Sequence, residues 1–157
     1  MKIDVEKLKG IVGKENVSDD IADLYVYGSD ASVHHSLPNV IVRPKTIDHV
    51  QKIMRYADKN KIPVVPRGAG SGTSGHTVPI DGGIVLDMKQ MNRILDIRPQ
   101  DMLVKVEPGV VDDDLNRALK PLGLFYPPAP ASSRIATIGG EIAANASGVR
   151  SVIWCYS

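Results

Sequence analysis

The segment Gly68–Gly75 constrains the fold more than any other part of this sequence. It places four glycines and three hydroxyl residues in eight positions, and only Arg67 separates it from the apolar run Ile62–Pro66. Repeated glycines let the backbone take positive φ several times, so successive N–H groups can point into one concavity that holds phosphate oxygens. A flexible surface loop is the alternative, but such loops seldom follow an apolar strand so directly.

The segment Gly70–Gly75 fits the spacing G-x-G-x-x-G, but it does not predict a Rossmann fold. That motif needs a helix beginning inside it, whereas Thr77-Val78-Pro79 and Asp81-Gly82-Gly83 follow here. A Walker-type phosphate loop is excluded because no Gly-Lys-Ser/Thr occurs. The glycine-rich segment is therefore expected to be a phosphate-binding loop that does not lead into a helix.

A second segment rich in small residues follows the proline-rich stretch Pro127–Pro130. Thr137 is expected to cap a helix whose first turn holds Gly139 and Gly140, although each glycine weakens a helix by about 1 kcal/mol. Either close approach of a ligand or close helix packing explains them. Two separate Gly/Ser/Thr loops suit a long ligand that contacts backbone at both ends.

The remaining pattern predicts an α+β fold. A strand at residues 39–43 is followed by a helix from Ile47 to about Lys59, capped by Thr46, with Ile47, Val50, Ile53, Met54 and Ala57 on its apolar face. Ser18 is expected to cap a turn of helix before this strand. Further strands are predicted at Ile84–Asp87 and in a hairpin at 94–97 and 102–106, before a helix opened by Asp112–Asp114.

Composition excludes several classes of protein. Nineteen basic and eighteen acidic residues give a net charge of +1, which argues against nucleic-acid binding. No apolar run is long enough for a membrane helix, and the charged start of the chain is not a signal peptide. The single cysteine, Cys155, permits no internal disulfide. We expect a cytoplasmic protein without a membrane span.

Protein-borne catalytic groups are not evident. The four histidines have no metal-ligand spacing, and His34-His35 is expected in a solvated loop. There is no nucleophile elbow, and Cys155 has no activating neighbour. We therefore predict no catalytic residue and no metal site, with a bound cofactor carrying the chemistry.

Residues 39 to about 152 resemble the first part of the FAD-binding domain shared by the vanillyl-alcohol oxidase and MurB-type flavoproteins, the PCMH-type fold. Within it they are most similar to the group that contains glycolate oxidase and D-lactate dehydrogenase. The matching pieces occur in the family's order: Arg43-Pro44, Pro66–Ser71, Gly83–Met88, Met91-Asn92, Val106–Val110, Pro127–Pro130, Thr137–Gly140, Asn145 and Gly148.

The resemblance implies small mixed sheets flanked by helices, and FAD as the cofactor. It assigns the pyrophosphate to the first loop: Arg67, Gly68, Ala69, Gly70, Ser71, Gly72, Thr73, Ser74 and Gly75. It assigns the flavin side to the second segment: Pro130, Ala131, Ser132, Thr137, Gly139, Gly140, Asn145 and Gly148. Some relatives attach flavin through a histidine where this chain has Ser71, so FAD is expected to be non-covalent, and His76 is not expected to replace that histidine.

The resemblance also implies a division of the chain. Residues 1–38 form a helical lead-in, residues 39–152 form part of the FAD-binding domain, and residues 153–157 depart from the family's pattern. One possible codon series for Val152–Ser157, with two A's added, would encode Val-Lys-Tyr-Gly-Ala-Thr, which is the continuation expected for the family. Residues 153–157 are therefore interpreted as a frameshifted tail. The chain alone is then expected to fold marginally, bind FAD weakly and show no turnover.

The function implied is that of a fragment of an FAD-linked enzyme that oxidises a D-2-hydroxy acid of the glycolate or D-lactate type. Its partners are the small hydroxy acid and an electron acceptor or partner subunit. Two alternatives remain open. One is a non-enzymatic FAD- or nucleotide-binding module, and the other is a MurB-type reductase or sugar oxidase of the same fold.

Overall fold

The computed structural model describes residues 3–150 of the chain. Contacts divide it into two compact units, and the division falls after Gln90. The predicted tail at 153–157 lies outside the described residues, and the predicted domain limits at 38/39 and 152/153 stay predictions. The elements agree with the α+β prediction, because strands and helices build a mixed sheet in the first unit and a hairpin with helices in the second.

The first unit is built on a four-stranded mixed sheet with the order β1-β2-β4-β3. β1 pairs antiparallel with β2, whereas β2, β4 and β3 are parallel neighbours. Its strands and helices are α1 Val5–Val12, β1 Val17–Ser18, α2 Ile21–Tyr27, β2 Val40–Val42, α3 Ile47–Asn60, β3 Val64–Arg67 and β4 Ile84–Asp87.

Both faces of this sheet carry buried side chains, since neighbouring strand residues point to opposite sides and apolar residues occupy both. Val40 and Val42 join a core with Leu8 of α1 and Ile53 of α3. Ile41 packs on the other side with Tyr27 of α2 and with Val85. The N-terminal helix α1 therefore shares one hydrophobic core with the strands and α3.

Two details of the predicted helices are wrong. Asp20 caps α2 by accepting the Ala22 N–H at 2.9 Å, whereas Ser18 lies in β1. On α3, Ile47 is 68% exposed and Met54 45% exposed, while Tyr56 is buried. Tyr56 replaces them on the buried side because α1 packs against α3.

The second unit pairs β5 Ile94–Arg98 with β6 Leu103–Val106 as the predicted hairpin. Helices α4 Asp112–Leu119 and α5 Ile138–Ala143 complete it. Val110, Leu115, Leu119 and Ile138 form its buried core. Among residues 3–150, no helix is long and apolar enough to cross a bilayer.

Candidate FAD-binding site

The glycine-rich loop leaves the end of β3 and leads to β4, with no helix between the two strands. Gly70 has φ +69° and Gly75 has φ +77°, which is the left-handed region that glycine alone enters without strain. The prediction of a loop that does not open a helix is confirmed. Positions Gly68 to Gly75 form one irregular segment, with Arg67 as the last residue of the strand.

The backbone N–H groups of the loop are the hydrogen-bond donors that it offers to a ligand. Within residues 3–150, no N–H from Ala69 to His76 donates a hydrogen bond. The Gly72 and Gly75 carbonyl oxygens, by contrast, accept bonds from Ala31 and Val78. Successive free N–H groups next to a residue of positive φ can form a concavity that binds anions.

Arg67 places a cation directly under this loop. The residue is only 8% exposed, and a Cβ on Gly70 would lie 2.2 Å from its Nη2. Its Nη1 donates to the Ser29 carbonyl oxygen at 2.6 Å and to Thr77 Oγ1 at 3.2 Å. Burial lowers the pKa of Arg67, which nevertheless stays protonated at neutral pH because its ordinary value is so high.

The Tyr27 ring packs against the Arg67 guanidinium. The Arg67 Cζ atom lies 5.3 Å from the Tyr27 ring centroid, in the range of a cation–π contact. The Tyr27 hydroxyl donates to Oδ2 of Asp87, which is 2% exposed and ends the neighbouring strand β4. The last residues of β3 and β4 are thus tied together beneath the loop.

Replacing Tyr27 by phenylalanine is expected to lower the free energy of unfolding by about 1–3 kcal/mol. The buried Asp87 carboxylate would lose its shortest hydrogen bond and keep the Lys89 N–H at 3.0 Å, with the Arg43 and Lys89 side chains at 3.8 and 3.6 Å. Urea unfolding followed by circular dichroism measures the effect. Tyr25→Phe is the matched control, because Tyr25 lies on the same helix, is 60% exposed and its hydroxyl makes no hydrogen bond within residues 3–150. Equal losses in both variants would contradict the role given to Tyr27.

The second segment begins helix α5 as predicted. Thr137 is the cap, and its Oγ1 accepts the Gly140 N–H at 3.3 Å. The Gly139 N–H donates to the Pro108 carbonyl oxygen at 2.9 Å. A Cβ on Gly139 would lie 2.6–3.0 Å from atoms of Pro108. Close packing on Pro108 is therefore a sufficient reason for glycine at position 139.

Replacing Gly139 by alanine is expected to destabilise the protein by about 2 kcal/mol, because the new methyl group would overlap the Pro108 backbone. Thermal or urea unfolding measures this loss. Gly140→Ala serves as the control, since its Cβ would meet only Thr137 Oγ1, at 3.1 Å, and alanine favours a helix. If the Gly140 variant were as unstable as the Gly139 variant, contact with Pro108 would not be the cause.

The other predicted residues of this segment lie on both sides of α5. A turn holds Pro130, Ala131 and Ser132, in which the Pro130 carbonyl oxygen accepts the Ser133 N–H at 3.0 Å. Asn145 follows the helix with φ +49°. A bridge between Ala129 and Gly148 brings the two ends of the segment together.

A buried carboxyl pair in the second unit was not predicted from the sequence. Asp112 is 1% exposed at the start of α4, and Glu141 is 4% exposed on α5. Within the described residues, Asp112 Oδ2 and both Glu141 carboxylate oxygens have no hydrogen-bond partner. Burial, together with the neighbouring Asp112, raises the pKa of Glu141 to about 8, and burial also raises the pKa of Asp112.

Known proteins resemble the chain over most of its length. Glycolate oxidase subunit GlcD of Bacillus subtilis is 40% identical over 146 residues, which are 92% of this chain and 31% of that protein. D-lactate dehydrogenase of Anaerostipes hadrus is 36% identical over 149 residues, covering 94% of this chain and 31% of that protein. The chain thus spans about a third of the length of these relatives.

The fold is also found in solved structures. An alkyldihydroxyacetonephosphate synthase superposes with a TM-score of 0.85 at 24% identity, covering 94% of this chain and 32% of that one. The family model described as "FAD binding domain" matches residues 38–156. This chain therefore belongs to the FAD-binding domain family of the PCMH type, whose cofactor is FAD.

Proposed function

We propose that the loop Arg67–Gly75 binds the diphosphate of FAD without a covalent bond. The observation that carries this proposal is the run of free backbone N–H groups from Ala69 to His76 above the buried Arg67 guanidinium. A diphosphate presents several anionic oxygens to such a surface, and charge-assisted hydrogen bonds are the strong ones. Ser71, at the loop's centre, has no ring nitrogen to which flavin could be attached.

The segment from Pro130 to Gly148 is proposed to contact the flavin part of FAD. Support comes from polar groups that are not used internally. Within residues 3–150, the Ala131 and Ser132 N–H groups and the Asn145 side-chain amide make no hydrogen bond. The N–H groups of Gly139 and Gly140 are already paired within the protein, so these two glycines would contact the flavin only through their backbone surface. Thr137 would hold the start of α5 in place.

We propose further that the protein containing this domain oxidises a small D-2-hydroxy acid of the glycolate or D-lactate type. The support is the similarity to a glycolate oxidase subunit and a D-lactate dehydrogenase. FAD supplies the hydride acceptor for such chemistry when it is bound. The residues of this chain bind and orient it, and electrons would pass on to an acceptor or a partner subunit.

Cofactor binding is tested by adding FAD to the purified full chain and following quenching of flavin fluorescence. We expect saturable binding of FAD, followed by release of all flavin into the supernatant on acid precipitation. Flavin that stays with the precipitate would overturn the non-covalent proposal. Absence of FAD binding by a folded chain would overturn the role of the loop.

Substrate class is tested by anaerobic addition of hydroxy acids to the flavin-loaded protein that carries this domain. D-lactate and glycolate are expected to bleach the yellow absorption band, whereas L-lactate is the control of opposite configuration. Bleaching by a reduced nicotinamide or by a sugar, with no response to hydroxy acids, would favour the MurB-type or sugar-oxidase alternative.

A further inference from the structure

The segment Ser29–His34 of the first unit packs against the glycine-rich loop. It precedes residues 38–156, over which the family model matches. The Ala31 N–H donates to the Gly72 carbonyl oxygen at 3.1 Å. The Ser29 carbonyl oxygen accepts the 2.6 Å bond from Arg67. Two hydrogen bonds therefore fix this segment against both the loop and the cation beneath it.

Within this segment, His34 lies against the loop at Gly75. A Cβ built on Gly75 would be 2.9 Å from His34 Cδ2 and 3.5 Å from its Cγ, so only a glycine with its φ of +77° leaves room for the ring. The imidazole is exposed, and neither ring nitrogen makes a hydrogen bond within the described residues. Its Nε2 is bonded to the Cδ2 atom that faces Gly75, and it is a polar ring atom without a partner among residues 3–150.

The charges nearest this position are the Asp30 carboxylate and the Arg67 guanidinium. Asp30 is the acidic residue of the segment, and Arg67 lies close enough to interact with its charge. Burial by itself would raise the pKa of Asp30, but hydrogen bonds from Ser32 and from the Thr77 backbone, with the Arg67 charge, outweigh it and lower that pKa. The Ser32 N–H donates to Oδ1 of Asp30 at 2.8 Å, and the Arg67 charge is the smallest of the effects that favour this carboxylate. The imidazole adds a donor at the loop's edge.

We propose that His34 is a side-chain ligand of the FAD diphosphate, and that the segment Ser29–His34 forms one side of that binding site. This inference rests on the proposed binding of the diphosphate by the glycine-rich loop. An imidazole N–H donates a hydrogen bond to a phosphate oxygen, and hydrogen bonds to charged groups are the stronger class. The neighbouring His35 ring packs instead on Tyr25, with the centroids 5.1 Å apart.

The test compares dissociation constants of FAD and riboflavin for the full chain and four variants. Riboflavin carries the flavin ring but no phosphate. His34→Ala and His34→Phe are expected to weaken FAD binding by about tenfold and to leave riboflavin binding unchanged. His34→Gln, which keeps a donor near the Nε2 position, is expected to retain most of the affinity. His35→Ala is the matched control and is expected to bind FAD as the unmodified chain does.

Other outcomes would contradict the proposal. If His34→Phe keeps full affinity, ring packing on Gly75 matters and the hydrogen bond does not, so the proposal fails. Equal weakening of FAD and riboflavin in His34→Ala would also overturn it, because the effect would not concern phosphate. If the unmodified chain is folded but does not bind FAD, both the role of the loop and the role of His34 are contradicted. If the unmodified chain binds FAD and His34→Ala binds it equally well, only the role of His34 is contradicted.

Discussion

The Glu141→Gln variant is expected to lose most of the pH dependence of unfolding between about pH 5 and pH 8. Folded Glu141 keeps its proton up to a pKa of about 8, against an ordinary value of 4.5 that applies when the chain is unfolded. Between these values the folded state binds more protons than the unfolded state. The stability that Glu141 contributes is therefore fully present below about pH 4.5 and is lost as the pH rises through about 8.

The expected loss for the unmodified chain over this range is roughly 2–4 kcal/mol, since each pKa unit corresponds to about 1.4 kcal/mol. The variant has no proton to lose, and its amide can donate to the unpartnered Oδ2 of Asp112. It should therefore be the more stable protein above pH 8. Urea unfolding at a series of pH values measures both curves.

Asp101→Asn is the control for this experiment, because Asp101 is an exposed carboxyl in the same unit. Its stability curve should follow that of the unmodified chain. If the Glu141→Gln curve ran parallel to the unmodified one, the carboxyl pair would not be the group that binds the extra proton.

The Gly70→Ala variant is expected to bind FAD at least about tenfold more weakly than the unmodified chain. Its Cβ would lie 2.2 Å from Nη2, 2.5 Å from Cζ and 2.9 Å from Nε of Arg67. The whole guanidinium plane would have to move, although Nη1 is held by the Ser29 carbonyl oxygen and Thr77. The residue would also be forced into φ +69°, which costs about 1–2 kcal/mol for alanine.

The neighbouring Gly72 offers a matched control within the same loop. It does not have a positive φ, and a Cβ there would meet nothing within 4 Å. Gly72→Ala should therefore fold and bind FAD nearly as the unmodified chain does. Similar FAD affinity in the Gly70 and Gly72 variants would show that the position of the Arg67 guanidinium is unimportant for the cofactor.

Local sequence signals predicted the elements well where one residue type determines the geometry. Thr46 and Thr137 cap α3 and α5 as predicted, because the hydroxyl of an extended cap residue accepts a free N–H at the helix start. Thr77-Val78-Pro79 correctly excluded a helix after the loop. Ser18 failed as a cap because Asp20 lies next to the first helical residue and bonds its N–H groups more directly.

The sequence was less informative about contacts between distant residues. His34 was predicted to lie in a solvated loop, and it is exposed, but its contact with Gly75 spans 41 positions of the chain. Asp112 was correctly placed at a helix start, yet its burial beside Glu141 depends on how α4 and α5 pack. Periodicity identifies a buried face but not the residue opposite it, so these pairings become visible only in the folded structure.

The two prolines around β3 have a consequence for self-association. β3 is an edge strand, and the Pro63 carbonyl oxygen accepts the Ile84 N–H of β4 at 2.9 Å. The backbone N–H and C=O groups of successive strand residues point to opposite sides of the strand. Those of Val65 and Arg67 therefore also point toward β4, whereas Val64 and Pro66 face the open side of β3. Pro66 has no N–H to offer a foreign strand, so the outer edge of β3 presents a single donor, at Val64. That edge is a poor template for aggregation by strand addition, even though the strand itself is apolar.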